Sequence, residues 1–146
     1  MRRPLAALLG LVATGFLATG PALAVMPEPD GDPDVAEARR ALDGGRYELG
    51  LDLLNAVLAR LPGDPDVLVY VAFAHRRAGR PDQAMASYAQ ALAAQPDHPG
   101  ALAYQGALFL ELGRRAEAEA NLARLAASCA TCAEHETLAR DLARRN

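Results

Sequence analysis

The chain has no tryptophan and no lysine, two cysteines in all, and aromatic rings at only 5% of its 146 positions. So few rings exclude a thick aromatic core. Alanine must fill much of the interior, and at about 25 cal/mol per Å² of apolar burial each alanine contributes little. Stability then has to come from continuous stacking of similar units, and deleting one unit is expected to unfold the chain. All 15 basic residues are arginine, read here as a bias toward GC-rich codons, and they stand against 18 acidic residues for a formal net charge of −3. That balance argues against a nucleic-acid partner, which requires a basic face. No glycine-rich phosphate loop is present, and the glycines fall at turns. No histidine stands with a serine or cysteine nucleophile and a carboxylate in a recognisable triad, and the carboxylates are too scattered to suggest a glycosidase pair. No strand-like alternation occurs. The expectation is a non-enzymatic, all-helical chain without cofactor or metal.

The first 24 residues differ in kind from the rest. Arg2 and Arg3 open a segment that is uncharged from Leu5 to Leu17 and ends in Ala22, Leu23 and Ala24, the small-x-small pattern of a cleavage site. This reads as a secretory signal peptide cleaved after Ala24. The apolar run is shorter than the roughly 20 residues that span a bilayer, so a retained anchor is not expected. The absence of a nearby cysteine argues against a lipoprotein, and the arginine pair lacks the other residues of a twin-arginine signal. The expected product is periplasmic or secreted, off the membrane, with 13 arginines against 18 acidic residues and a charge near −5. Residues 25–32, rich in proline and acid, read as a flexible linker.

From Pro65, Val67, Leu68, Val71, Ala72 and Ala78 recur at helical spacing. Gly79 and Arg80 interrupt the run, and Pro81 suits the first turn of a second helix. Ala84, Met85, Tyr88, Ala91 and Leu92 form that helix's apolar stripe, which stops before Pro96. Ala72, Ala84 and Ala91 are small enough to let the two helices cross closely, and Tyr88 supplies bulk toward the next pair. The pattern recurs every 34 residues. Gly45, Gly79 and Gly113 share a slot, followed by Arg46, Arg80 and Arg114. Gly50, Ala84 and Ala118 share the small slot, and Leu54, Tyr88 and Leu122 the bulky one. Pro62 and Pro96 close the first two copies, with Ala130 in the third.

On these residues the chain resembles the tetratricopeptide repeat family, whose period is about 34 residues. The middle copy carries Leu68, Val71, Ala72, Gly79, Ala84, Tyr88, Ala91 and Pro96 in the family's slots. The third keeps Leu102, Gly106, Leu112, Gly113, Ala118 and Leu122. The first departs, with Asp34 and Glu37 where large apolar residues are usual, as suits a terminal repeat. The resemblance implies an all-α fold, a right-handed superhelix of antiparallel helix pairs. Three repeats are expected over residues 33–132, near 31–64, 65–98 and 99–132, then a capping helix over 133–146 with Leu138 and Leu142 on one face.

In the family, the first helix of each repeat lines a concave face where partner peptides lie. Carried over by register, this gives Asp32, Val35, Arg39 and Asp43. It also gives Asp66, Val69, Phe73, Arg76 and Arg77 from the second repeat, and Ala103, Ala107, Leu110 and Glu111 from the third. Phe73 would be exposed there unless covered, and a neighbouring arginine can pair with a carboxylate or stack on a ring. The lysine and asparagine pattern that clamps a C-terminal carboxylate in some members is absent, so that type of tail is not expected. The implied function is a periplasmic adaptor for a peptide or protein, with self-association through the groove also open.

Cys129 and Cys132 stand where the third repeat turns into the last helix. An even cysteine count in one tight spacing of an exported chain favours a disulfide, worth only about 2 kcal/mol for so short a loop. Its role would be to fix the turn. Three other readings stay open. A Cys-x-x-Cys at a helix start suits thiol exchange, but the chain lacks a thioredoxin-like alternation of strands and helices. Metal binding would take His135 as third ligand. Haem attachment is disfavoured because Ala133, not histidine, follows the second cysteine. The functional alternative is therefore a thiol-redox or metal-binding accessory protein. Of the other histidines, His75 is expected to pack and His98 to be solvated between repeats.

Overall fold

The computed structural model describes residues 31–145. The leader over residues 1–24 and nearly all of the linker over 25–32 lie outside them. Seven helices follow in order, α1 Pro33–Asp43, α2 Tyr47–Arg60, α3 Pro65–Arg77, α4 Pro81–Ala94, α5 Pro99–Glu111, α6 Arg115–Cys129 and α7 Ala133–Arg144. Among the described residues there is no strand. Helices α1/α2, α3/α4 and α5/α6 pack as hairpins, each hairpin stacks on the next, and α7 lies against α5 and α6.

The turn inside each hairpin explains the glycine-arginine slot. Gly45, Gly79 and Gly113 adopt φ of 73°, 75° and 72°, the left-handed conformation that glycine reaches without a Cβ penalty. The arginine amide after each glycine then reaches back, Arg46 N to Ala41 O at 2.8 Å, Arg80 N to His75 O at 2.9 Å and Arg114 N to Phe109 O at 2.8 Å. This is the Schellman ending, which satisfies carbonyls a helix terminus leaves free.

The starts of α1, α3 and α5 are capped by side chains. Asp32 Oδ1 accepts from Asp34 N at 2.9 Å and Asp64 Oδ1 from Val67 N at 3.0 Å. His98 holds the same place in the third repeat and is buried, contrary to the solvated position expected of it. Its Nδ1 accepts from Ala101 N at 3.2 Å, so Nε2 carries the proton and donates to Asp66 Oδ1 at 2.9 Å. Despite Asp34 and Glu37, α1 forms a full helix of 11 residues. Asp32 and Asp34 both receive Arg60 from α2, at 2.6 and 2.9 Å, which turns the polar start into a tie between helices.

Three apolar clusters run along the stack. Leu54 and Val57 centre the first, Tyr88 the second beside Leu68, Ala101 and Leu108, and Leu125 the third with Leu102 and Leu138. Ala72, Ala84 and Ala91 are fully buried at the α3–α4 crossing. Leu122 is only half-buried, and Leu125 fills the interior of α6 instead. Gly50 admits Leu42 of α1, and Gly106 admits Leu138 of α7. An added Cβ would meet a Leu42 methyl in the one case and lie 2.6 Å from Leu138 Cδ2 in the other.

Candidate functional site

The first helices α1, α3 and α5 touch one another in series and α7 touches α5, so the four share one side of the stack, the inner face. Register explains which residues reach it: Arg39, Phe73 and Ala107 stand at one repeat position, and Asp43, Arg77 and Glu111 at another. Phe73 is half-buried because Tyr104 of α5 meets it edge-on, with ring centroids 5.8 Å apart. On the other side, the Arg39 guanidinium lies over the Tyr70 ring, 5.6 Å from its centroid. Tyr70, Phe73 and Tyr104 thus form an aromatic strip across α3 and α5, and Tyr104 is 43% exposed. Tyr70, Phe73 and Tyr104 share a recess of about 160 Å³ with Arg39, Asp43 and Val69.

Arg76 forms a two-bond pair with Glu111, Nε to Oε2 at 2.9 Å and Nη2 to Oε1 at 2.6 Å, tying α3 to α5. Its guanidinium side chain is only 16% exposed. That hydrogen bond, ahead of the opposing effect of burial, holds the Glu111 carboxyl below the usual carboxylate range. Beyond the pair, Ala103, Tyr104 and Ala107 face Glu134, Thr137 and Asp141 of α7 across a recess of about 300 Å³.

The expected contact residues divide on the structure. Arg39, Phe73 and Arg76 sit together around the strip. Val69, Ala103 and Leu110 are buried, Val69 and Ala103 beneath the recesses, while the Leu110 carbonyl accepts from Arg145 at 3.2 Å. Val35 lies at the N-terminal end of the face, in a separate recess with Asp64 and Tyr70. Arg77 is exposed and turns to α2, its Nε donating to the Tyr47 hydroxyl at 3.4 Å. Tyr70 and Tyr104 were missed by the sequence reading. They stand 34 residues apart, so the repeat period itself was the signal.

Cys129 ends α6 and Cys132 caps α7, with the two sulfurs at bonding distance and the Cα atoms 5.4 Å apart. Both pack against the third apolar cluster. Among the described residues no three histidine, cysteine, aspartate or glutamate side chains converge as a metal site, so His135 gains no partner ligands.

His75 is half-buried, and its Nδ1 is enclosed without a hydrogen-bond partner. Burial, then the nearby Arg80 charge, pushes its pKa below the ordinary 6.5. The folded state therefore binds fewer protons at this site than the unfolded state. The site's contribution is complete above about pH 6.5 and is lost as pH falls through the lowered folded value. Glu111 adds a second, lower limb, since its carboxyl is also depressed. His75→Phe is expected to flatten the decline in melting temperature between pH 7.5 and 5.5; equal declines in both proteins would refute this assignment.

Two tetratricopeptide repeat family models match the chain, one over residues 35–99 and the other over 75–142. No curated protein matches the sequence. Among solved structures, the chain is similar to the first such domain of Spaghetti (RPAP3), bound to the HSP90 peptide SRMEEVD. That match has 18% identity and a TM-score of 0.67, over 77% of this chain and 89% of that one. It is similar to the Yersinia enterocolitica type III secretion chaperone SycD in complex with a peptide of the translocator YopD, at 19% identity and a TM-score of 0.66, over 77% and 86%. The Sgt2 domain from Aspergillus fumigatus matches at 19% identity and a TM-score of 0.69, over 82% and 80%. The repeat turns, the stacked hairpins and the family models agree, and the chain belongs to the tetratricopeptide repeat family.

Proposed function

We propose that this chain is an exported, non-catalytic adaptor that holds a peptide segment of another protein on its inner face. The observation that carries this reading is the strip of Tyr70, Phe73 and Tyr104, with Tyr104 exposed between recesses on both sides. Exposed aromatic surface flanked by arginine is what interaction hot spots are made of. The Spaghetti and SycD domains, which share the fold, are each bound to a peptide. The charged segment Arg2-Arg3 and the uncharged run after it support export to the periplasm or medium.

Photo-crosslinking tests the adaptor role. A benzophenone side chain at Tyr104 is expected to trap a partner from a periplasmic extract, and one at Asp52, exposed on α2, is not. Equal labelling at both positions, or none at either, overturns the groove as the binding surface.

The pair Cys129 and Cys132 is read as a structural disulfide that fixes the α6–α7 turn, supported by Cα atoms 5.4 Å apart, a separation that a disulfide spans. Alkylation without reductant, followed by mass spectrometry, is expected to leave both thiols unlabelled. Labelling of both would remove the disulfide and favour the thiol-exchange alternative.

A further inference from the structure

Resting on that groove reading, the geometry points to a more specific partner: we propose a peptide segment that inserts an arginine side chain beside Tyr104. A recess of about 320 Å³ lies where the end of the second repeat meets α3, α5 and the start of α7. Its walls include the rings of Tyr70 and Tyr104, its apolar parts Val69 and Pro99, and its acids Asp66 and Glu134. No arginine lines it.

The acids there are available. The Asp66 side chain is 80% exposed, and its one hydrogen bond, from His98, goes to Oδ1 and leaves Oδ2 open. Glu134 makes no ion pair among the described residues. Of the arginines near this face, Arg76 pairs with Glu111, Arg144 with Asp141 and Arg145 donates to the Leu110 carbonyl, while Arg39 lies over Tyr70 and shares the neighbouring recess with Asp66. The recess therefore presents two carboxylates, and no arginine of its own, beside aromatic faces.

That combination selects a guanidinium. A planar cation stacks on a tyrosine ring while its N–H groups pair with carboxylates, whereas lysine offers a compact, strongly hydrated charge that does this less well. The protein already uses the arrangement once within itself, since Arg39 lies over the adjacent Tyr70 ring. The arginine stem would run over Val69 and Pro99 with its head between Asp66 and Glu134.

The test is selection of binders from a displayed random 12-residue peptide library on the purified protein, followed by affinity measurements with the synthetic peptides. Selected peptides are expected to carry an arginine. Replacing that arginine with citrulline, which keeps the shape and removes the charge, is expected to weaken binding about tenfold or more, the scale of losing a close charge pair. The double substitution Asp66→Asn with Glu134→Gln should weaken the arginine peptide equally and the citrulline peptide little, with unchanged thermal unfolding. Binders that need Tyr104 but lack arginine, or that ignore the citrulline change, overturn this inference and leave the groove reading standing. Binders indifferent to Tyr104→Ala, or no binders, overturn both. A Tyr104-dependent dimer in sedimentation would make a second copy the occupant and overturn the separate partner.

Discussion

Tyr88→Ala is expected to destabilise the protein by about 3–5 kcal/mol, the range for removing a large buried ring. Tyr88 is fully buried between Leu68 and Ala84 of its own repeat and Ala101 and Leu108 of the next. Removing the ring opens a cavity at the joint between hairpins. In a stack where each hairpin touches only its neighbours, stability is the sum of unit and interface terms, so a weak joint endangers both sides. Against a total of about 5–15 kcal/mol for a typical domain, that loss is severe. Tyr88→Phe separates packing from hydrogen bonding. The hydroxyl is buried without a hydrogen bond of good geometry although the Arg76 guanidinium lies near it; burial pushes its pKa up and Arg76 opposes the rise. Its removal is therefore expected to change stability little, because no well-formed hydrogen bond is lost and Arg76 keeps its pair with Glu111. Chemical denaturation of both variants decides the matter. A Tyr88→Phe loss approaching that of Tyr88→Ala would show that the hydroxyl, not the ring, holds the joint.

Tyr88 was legible in the sequence because its slot repeats. Leu54 stands 34 residues before it, and both are fully buried. The turn glycines were legible for a similar reason, since a left-handed φ leaves few alternatives to glycine and the requirement returns at every hairpin. The inner face was read less well. Val69, Ala103 and Leu110 lie at inner-face positions by register, yet neighbouring helices cover them. Register gives a direction around one helix but not the depth of the groove between two. Tyr70 and Tyr104 sit one residue after Val69 and Ala103, on the flank where adjacent repeats approach. Only the packing of α3 on α5 brings Tyr104 against Phe73. His98 failed for a different reason. Aspartate, asparagine, serine and threonine are the usual helix caps, so a histidine between Asp97 and Pro99 read as turn surface. The pairing of Arg76 with Glu111 was not legible, since register gave both only as inner-face positions and the two are 35 residues apart in different repeats.

The second large effect concerns α7, which walls the inner face with Glu134, Thr137 and Asp141. Its anchor is Leu138, buried against Gly106 in the middle of α5. Glycine inside a helix costs roughly 1 kcal/mol relative to alanine, so its position here has to be justified by packing. A Cβ at Gly106 would lie 2.6 Å from Leu138 Cδ2 and 2.8 Å from Cδ1, closer than carbon atoms approach. Leu138→Ala is expected to cost about 2–5 kcal/mol by emptying the site. Gly106→Ala is expected to be destabilising too, because overpacking of about 1–3 kcal/mol outweighs the gain in helix propensity. In the Leu138→Ala background the same methyl enters vacated space, and Gly106→Ala should then stabilise. The sign of one substitution therefore reverses with its partner, giving a coupling of about 0.5–3 kcal/mol between contacting residues. Urea denaturation of the two single variants and the double variant measures it directly. Additive effects would mean that α7 is held mainly by Leu142 and the Cys129–Cys132 turn. A reversal would place the anchor at Gly106, so that loosening this contact should also weaken peptides bound beside Tyr104.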